Sequence, residues 1–155
     1  MTQPRPLDGV RVIDLTSVLA GPAGTQILAD YGADVIKVEA PGGDIMRHAG
    51  HMKHEGMGPV YLHANRNKRS MVIDLKQAEG RAVLLDLVRD ADLFVHNVRP
   101  AAMSRLGLDY ADHNLRGPGF CGGFDSCSFR SCSFRSRCIS LLPRIPGGAV
   151  AILAW

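Results

Sequence analysis

The sequence predicts an α/β fold: a doubly wound parallel sheet, incomplete, followed by an irregular C-terminal tail. Three observations lead there. Short β-branched apolar runs alternate with helical stretches; Gly and Pro stand at the boundaries between them; and the alternation holds from Val10 to Leu106, then stops.

The elements follow in order. Val10-Arg-Val-Ile-Asp-Leu15 is short and β-branched, as a strand buried on both faces should be. Ser17 to Gly24 breaks it, and Thr25 to Tyr31 is helical, with Pro22 suited to the first turn and Gly32 a natural stop. Ala33 to Glu39 is a second strand, completing a βαβ unit whose crossover should be right-handed. Pro41 opens a long loop that reaches Asn67; a loop of this length is functional or disordered more often than not. Ser70 to Leu75 is a third strand. Ala78 to Asp90 is an amphipathic helix whose apolar face is Val83, Leu84, Leu87 and Val88. Leu93 to Val98 is a fourth strand, and Pro100 to Leu106 a helix ended by Gly107.

Beyond Asp112 the chain changes character. Residues 1–112 carry 13 Lys and Arg against 14 Asp and Glu, a net of −1, whereas residues 113–155 carry five Arg and one acid, Asp125, a net of +4. All four cysteines, Cys121, Cys127, Cys132 and Cys138, lie in this tail, and Ser126 to Arg135 is a five-residue unit repeated in tandem. We therefore divide the chain into residues 1–112 and a low-complexity Ser/Cys/Arg/Pro/Gly tail, 113–155, for which the alternatives are a shifted reading frame, a truncated gene model and a genuine divergent tail. The whole-chain charge of +3 averages two unlike segments and makes no case for a nucleic acid partner. No apolar run approaches the roughly 18 residues of a membrane span, and Met1 to Pro6 has no signal-peptide core. The expectation is a cytoplasmic protein with no membrane partner.

Four motifs bear on chemistry. Leu19-Ala-Gly-Pro-Ala-Gly24 joins a strand to a helix with small residues, which suits either close approach of a phosphate-bearing ligand or a structural tight turn. Glu39 falls 18 residues after Gly21, about where dinucleotide folds place a ribose-binding acid, though the pattern is Gly-x-x-Gly rather than Gly-x-Gly-x-x-Gly. Asn65-Arg-Asn-Lys-Arg-Ser70 could hold a phosphate or form a solvated basic turn. His48, His51 and His54 have a spacing that could suit a metal, but Gly50 and Gly56 favour a polar loop, so no metal is expected. No pair of cysteines has the C-x-x-C spacing of zinc or redox sites.

Taken in order, several segments resemble the N-terminal part of the class III CoA-transferases (the CaiB/BaiF family). They are Pro6 to Thr16, Val18-Leu-Ala-Gly-Pro22, Leu28 to Glu39, Pro41-Gly-Gly-Asp44 with Arg47, Asn67-Lys-Arg-Ser70, and His96-Asn-Val-Arg-Pro100 through Arg105-Leu-Gly-Leu108. The match covers about 110 residues and ends at the tail. The resemblance implies a Rossmann-like domain that binds the nucleotide end of coenzyme A, an acyl-CoA being the substrate and a carboxylic acid the acceptor. The residues it points to are Ser17, Val18, Ala20, Lys68, Asn97, Val98 and Arg105, with Lys68 and Arg105 as partners for the CoA phosphates. Ser17 stands where formyl-CoA transferases have His, and Ala40 where they have Arg, which argues against formyl-CoA as the donor.

In the transferases resembled, an aspartate beyond the Asn97–Arg105 segment attacks the thioester and forms an acyl-aspartyl anhydride. Asp125 is the one carboxylate side chain after Asp112, and its surroundings match no family motif, so no catalytic residue is assigned. Interlocked homodimers are implied for whole members, but that threading needs later segments and is not expected of this chain alone. The alternatives are an α-methylacyl-CoA racemase-like protein, a non-catalytic CoA or nucleotide-binding module, and a dinucleotide-dependent oxidoreductase.

Overall fold

A computed structural model of the chain describes residues 4–108 and 151–154. Its elements are β1 (Arg11–Leu15), α1 (Ala20–Asp30), β2 (Asp34–Glu39), a 3₁₀ turn (Ile45–His48), α2 (Pro59–Ala64), β3 (Arg69–Val72), α3 (Ala78–Arg89), β4 (Leu93–His96), α4 (Pro100–Arg105) and β5 (Ala151–Ala154). The strands form one sheet in the order β3-β2-β1-β4-β5, and every neighbouring pair is parallel. The predicted α/β sheet is what forms. The expected domain boundary at residue 112 and all four cysteines lie outside the described residues. Ala151–Ala154, from the apolar end of the tail, adds a fifth strand beside β4, which the sequence reading did not expect.

The pleat explains why the strands read as apolar runs. Alternate residues of each central strand enter opposite cores. Ile13, Ile36 and Phe94 pack with Leu84 and Val88 of α3 and Met103 of α4, whereas Val12, Val35 and Val95 pack with Ala29 of α1. Helices therefore cover both faces, α1 on one and α3 and α4 on the other. The chain steps from β1 outward to β2 and β3, then returns to β4 on the other side of β1. That reversal places the topological switch point at the carboxyl ends of β1 and β4, the general ligand position of open α/β sheets.

Three expectations need correction. Within α3, Leu84 and Val88 are buried but Val83 is 47% exposed, so the buried stripe is narrower than the apolar pattern suggested. β3 is Arg69–Val72 rather than Ser70–Leu75, and all four of its residues are exposed, because it lies at the sheet edge. The 41–67 segment is not a structureless loop. The Asp44 side chain accepts from the Met46 N–H at 3.0 Å and caps the 3₁₀ turn, while Gly58 and Pro59 start α2. Gly58 is required by space: a Cβ there would lie 2.1 Å from the Met46 carbonyl oxygen.

Candidate functional site

The loop after β1 is built on Asp14. Its carboxylate accepts from the Thr16 N–H (2.9 Å), the Thr16 hydroxyl (2.5 Å) and the Thr25 hydroxyl (2.6 Å), tying the end of β1 to α1. Gly21 lets the helix approach this turn, since a Cβ there would lie 2.6 Å from Thr16 Cβ. Between these anchors run Ser17, Val18 and Leu19, all exposed. Leu19 supplies no side-chain cap to α1, so among the described residues the helix start has no side-chain cap from its N-cap residue.

On the other side of the switch point, Asn97 follows directly on β4. Its Oδ1 accepts from the Ser17 N–H at 3.0 Å, and its Nδ2 donates to the Ser17 carbonyl at 2.9 Å. Of the residues singled out from sequence, Ser17, Val18, Ala20 and Asn97 thus come together at the switch point. Val98 packs against the core below, and Arg105 is exposed at the end of α4, with no ion pair among the described residues.

Lys68, which the resemblance assigns to a CoA phosphate, is buried and paired with a carboxylate. Its side chain is only 1% exposed. The ammonium lies 2.9 Å from Asp14 Oδ2 and also donates to the Pro22 carbonyl, Thr25 Oγ1 and Asn65 Oδ1 at 2.7–3.0 Å. Its role here is to neutralise Asp14 and pin the basic turn beneath α1. Burial pushes the Lys68 pKa down, with Asp14 opposing. Burial would push Asp14 up, but Lys68 and the two threonine hydroxyls overcome it and hold the carboxyl below its usual range. Lys37 repeats the arrangement at 3.0 Å from Asp44, both side chains being buried.

Glu39 is likewise enclosed. Arg47 grips both its oxygens at 2.7 Å, and Tyr61 Oη (2.8 Å), Ser70 Oγ (2.5 Å) and the Asp44 N–H (3.0 Å) complete its coordination. The Arg47 guanidinium also stacks 3.8 Å from the Tyr61 ring centre. Burial works against the ionised form, yet the hydrogen bonds from Arg47, Ser70 and Tyr61 bring Glu39 down to about 2. Burial and the Glu39 carboxylate push Tyr61 up to about 12. A carboxylate so occupied has no lone pair left for a ribose hydroxyl, which removes the feature that suggested a dinucleotide fold. Sequence reasoning did not find this cluster, although an acid ending an otherwise apolar strand was its signal.

His48, His51 and His54 are exposed, and among the described residues no group of three or more His, Cys, Asp or Glu side chains could hold a metal ion. No helix among them is long and apolar enough to cross a membrane. His96 was not singled out by sequence. It is buried at the end of β4, its Nδ1 has no hydrogen-bond partner among the described residues, and burial lowers its pKa.

The family model described as CoA-transferase family III matches residues 7–120, which include every element of this site. The chain belongs to that family. It is 48% identical over 120 residues to the succinate–glutarate CoA-transferase of Agrobacterium fabrum, covering 73% of this chain and 30% of that protein. It is 41% identical over 128 residues to the formyl-CoA:oxalate CoA-transferase of Escherichia coli, covering 79% and 31% respectively. A crystal structure of a CAIB/BAIF family protein from Brucella suis superposes with a TM-score of 0.65 at 43% identity, over 71% of this chain and 30% of that one. The chain spans 25–31% of the length of the curated relatives it matches.

Proposed function

We propose that this chain supplies the part of a class III CoA-transferase that binds the nucleotide end of coenzyme A. The whole enzyme would move CoA from an acyl-CoA thioester to a carboxylic acid. The observation that carries the reading is the exposed Ser17–Ala20 loop, fixed at the switch point by Asn97 and leading into a helix start that Leu19 does not cap. Arg105, exposed on α4 and without an ion pair among the described residues, is the cation we assign to a CoA phosphate. The enclosure of Glu39 favours CoA over NAD, whose ribose would need that acid.

The chemistry of transfer needs a reachable carboxylate nucleophile. Asp14, Glu39 and Asp44, which surround this edge of the sheet, have fully buried side chains and are each paired with a cation. We therefore propose that these residues build and neutralise the binding edge and take no part in acyl transfer. The test is calorimetry of the 155-residue chain with CoA and with NAD, beside a turnover assay with an acyl-CoA donor and a carboxylate acceptor. CoA should bind, NAD should not, and turnover should stay at the uncatalysed rate. Equal binding of NAD would contradict the ligand reading, and turnover would show that a nucleophile lies within the chain.

A further inference from the structure

Val18 has φ +72°, in the left-handed region that a β-branched residue rarely adopts. The structure shows what holds it there. The peptide groups on both sides of Ser17 are fixed, one through its N–H and the other through its carbonyl, by the single side-chain amide of Asn97, 80 residues away. Just downstream, the Leu19 carbonyl accepts from the Ala23 N–H at 2.8 Å and is locked into α1. Val18 lies between these two anchors and has to absorb the turn. Such strain persists only where the surroundings over-determine the backbone.

We infer that Asn97 is a positioning residue: it acts on CoA through Ser17 and Val18, forcing the loop into the strained conformation that binds, rather than touching the ligand with its own amide. Both polar atoms of that amide are already engaged. The inference rests on the CoA-binding reading above and adds a mechanism to it. Once the clamp is gone, Val18 is free to return to negative φ. The binding conformation then becomes a minor state, and apparent affinity falls by its fractional population. A glycine in place of Val18 would adopt either sign of φ about equally readily, so the clamp would matter far less.

The experiment is CoA calorimetry on four versions of the 155-residue chain: wild type, Asn97→Ala, Val18→Gly and the double variant. Asn97→Ala should weaken CoA binding about ten-fold or more when Val18 is present, but only about two-fold in the Val18→Gly background. The same loss in both backgrounds would show that Asn97 contacts CoA directly, and no loss in either would show that the clamp is idle; each overturns the inference. Thermal unfolding of the same four chains without ligand separates this from failure of the binding reading. Loss of the clamp releases strain only where Val18 is present, so Asn97→Ala should lower the Tm more in the Val18→Gly background. Equal losses would overturn the inference. A wild type that binds no CoA would overturn the proposed function and the ligand role of the clamp together, while unequal Tm losses would still place the strain at Val18.

Discussion

Lys68→Met separates a buried structural cation from a ligand-facing one. The substitution keeps the aliphatic stem and removes the ammonium that lies 2.9 Å from Asp14. Asp14 would then keep its three threonine hydrogen bonds but lose its counter-charge in a site with no solvent access. Breaking a buried pair from one side costs about 3–5 kcal/mol. A second route sets a ceiling: Asp14 can take up a proton, which at pH 7 costs about 4 kcal/mol relative to an ordinary aspartate. The two figures agree, so the expected loss is about 4 kcal/mol, or on the order of 15–20 °C in Tm for a unit of this size. The sign with pH follows. In the variant Asp14 has a folded pKa above its unfolded one, so its stability is greatest in acid and is lost as pH rises; the deficit should shrink to about 1.5 kcal/mol at pH 5. The assay is thermal and urea unfolding at the two pH values. If Lys68→Met melts within a few degrees of wild type yet binds CoA ten-fold more weakly, the ammonium faces the ligand and the structural role is wrong.

Two further outcomes follow from the same geometry. Glu39 is depressed to about 2, so its contribution to stability is present above the unfolded carboxyl range and is lost as pH falls from about 4.5 towards 2. Glu39→Gln should remove that acid limb at a cost of about 3 kcal/mol at pH 7, read as a flattened Tm profile between pH 5 and 2.5; an unchanged profile would place the titration elsewhere. Arg105→Ala should leave the Tm unchanged, since Arg105 is exposed and makes no ion pair among the described residues. It should nevertheless weaken CoA binding about ten-fold and flatten its salt dependence; wild-type affinity in the variant would take Arg105 out of the site.

The sheet was legible because parallel strands covered on both faces read as continuous apolar runs. Val12-Ile13, Val35-Ile36 and Phe94-Val95 each send neighbouring residues into opposite cores. α2 was not legible: six residues started by Gly58 and Pro59 offer too few turns for a helical period to show. Ser17 and Asn97, which the sequence named in separate segments, are in contact in the fold, but the partners of the buried charges were not legible. A lysine in a basic turn looks the same whether it meets solvent, phosphate or a carboxylate, and the partner of Lys68 is 54 residues away. Yet a signal existed. Asp14 and Lys37 each interrupt an apolar strand, and a charge at such a position has to find an opposite charge in the fold. That rule alone would have asked for the partners that Lys68 and Asp44 supply.

On this reading CoA binds at the carboxyl ends of β1 and β4. The most direct test is amide chemical-shift mapping of the ¹⁵N-labelled chain during a CoA titration. Saturable shifts should concentrate in residues 17–21 and 97–105, with the amides of α3 unmoved and NAD producing no comparable pattern. Shifts centred elsewhere, or the same pattern with NAD, would contradict it.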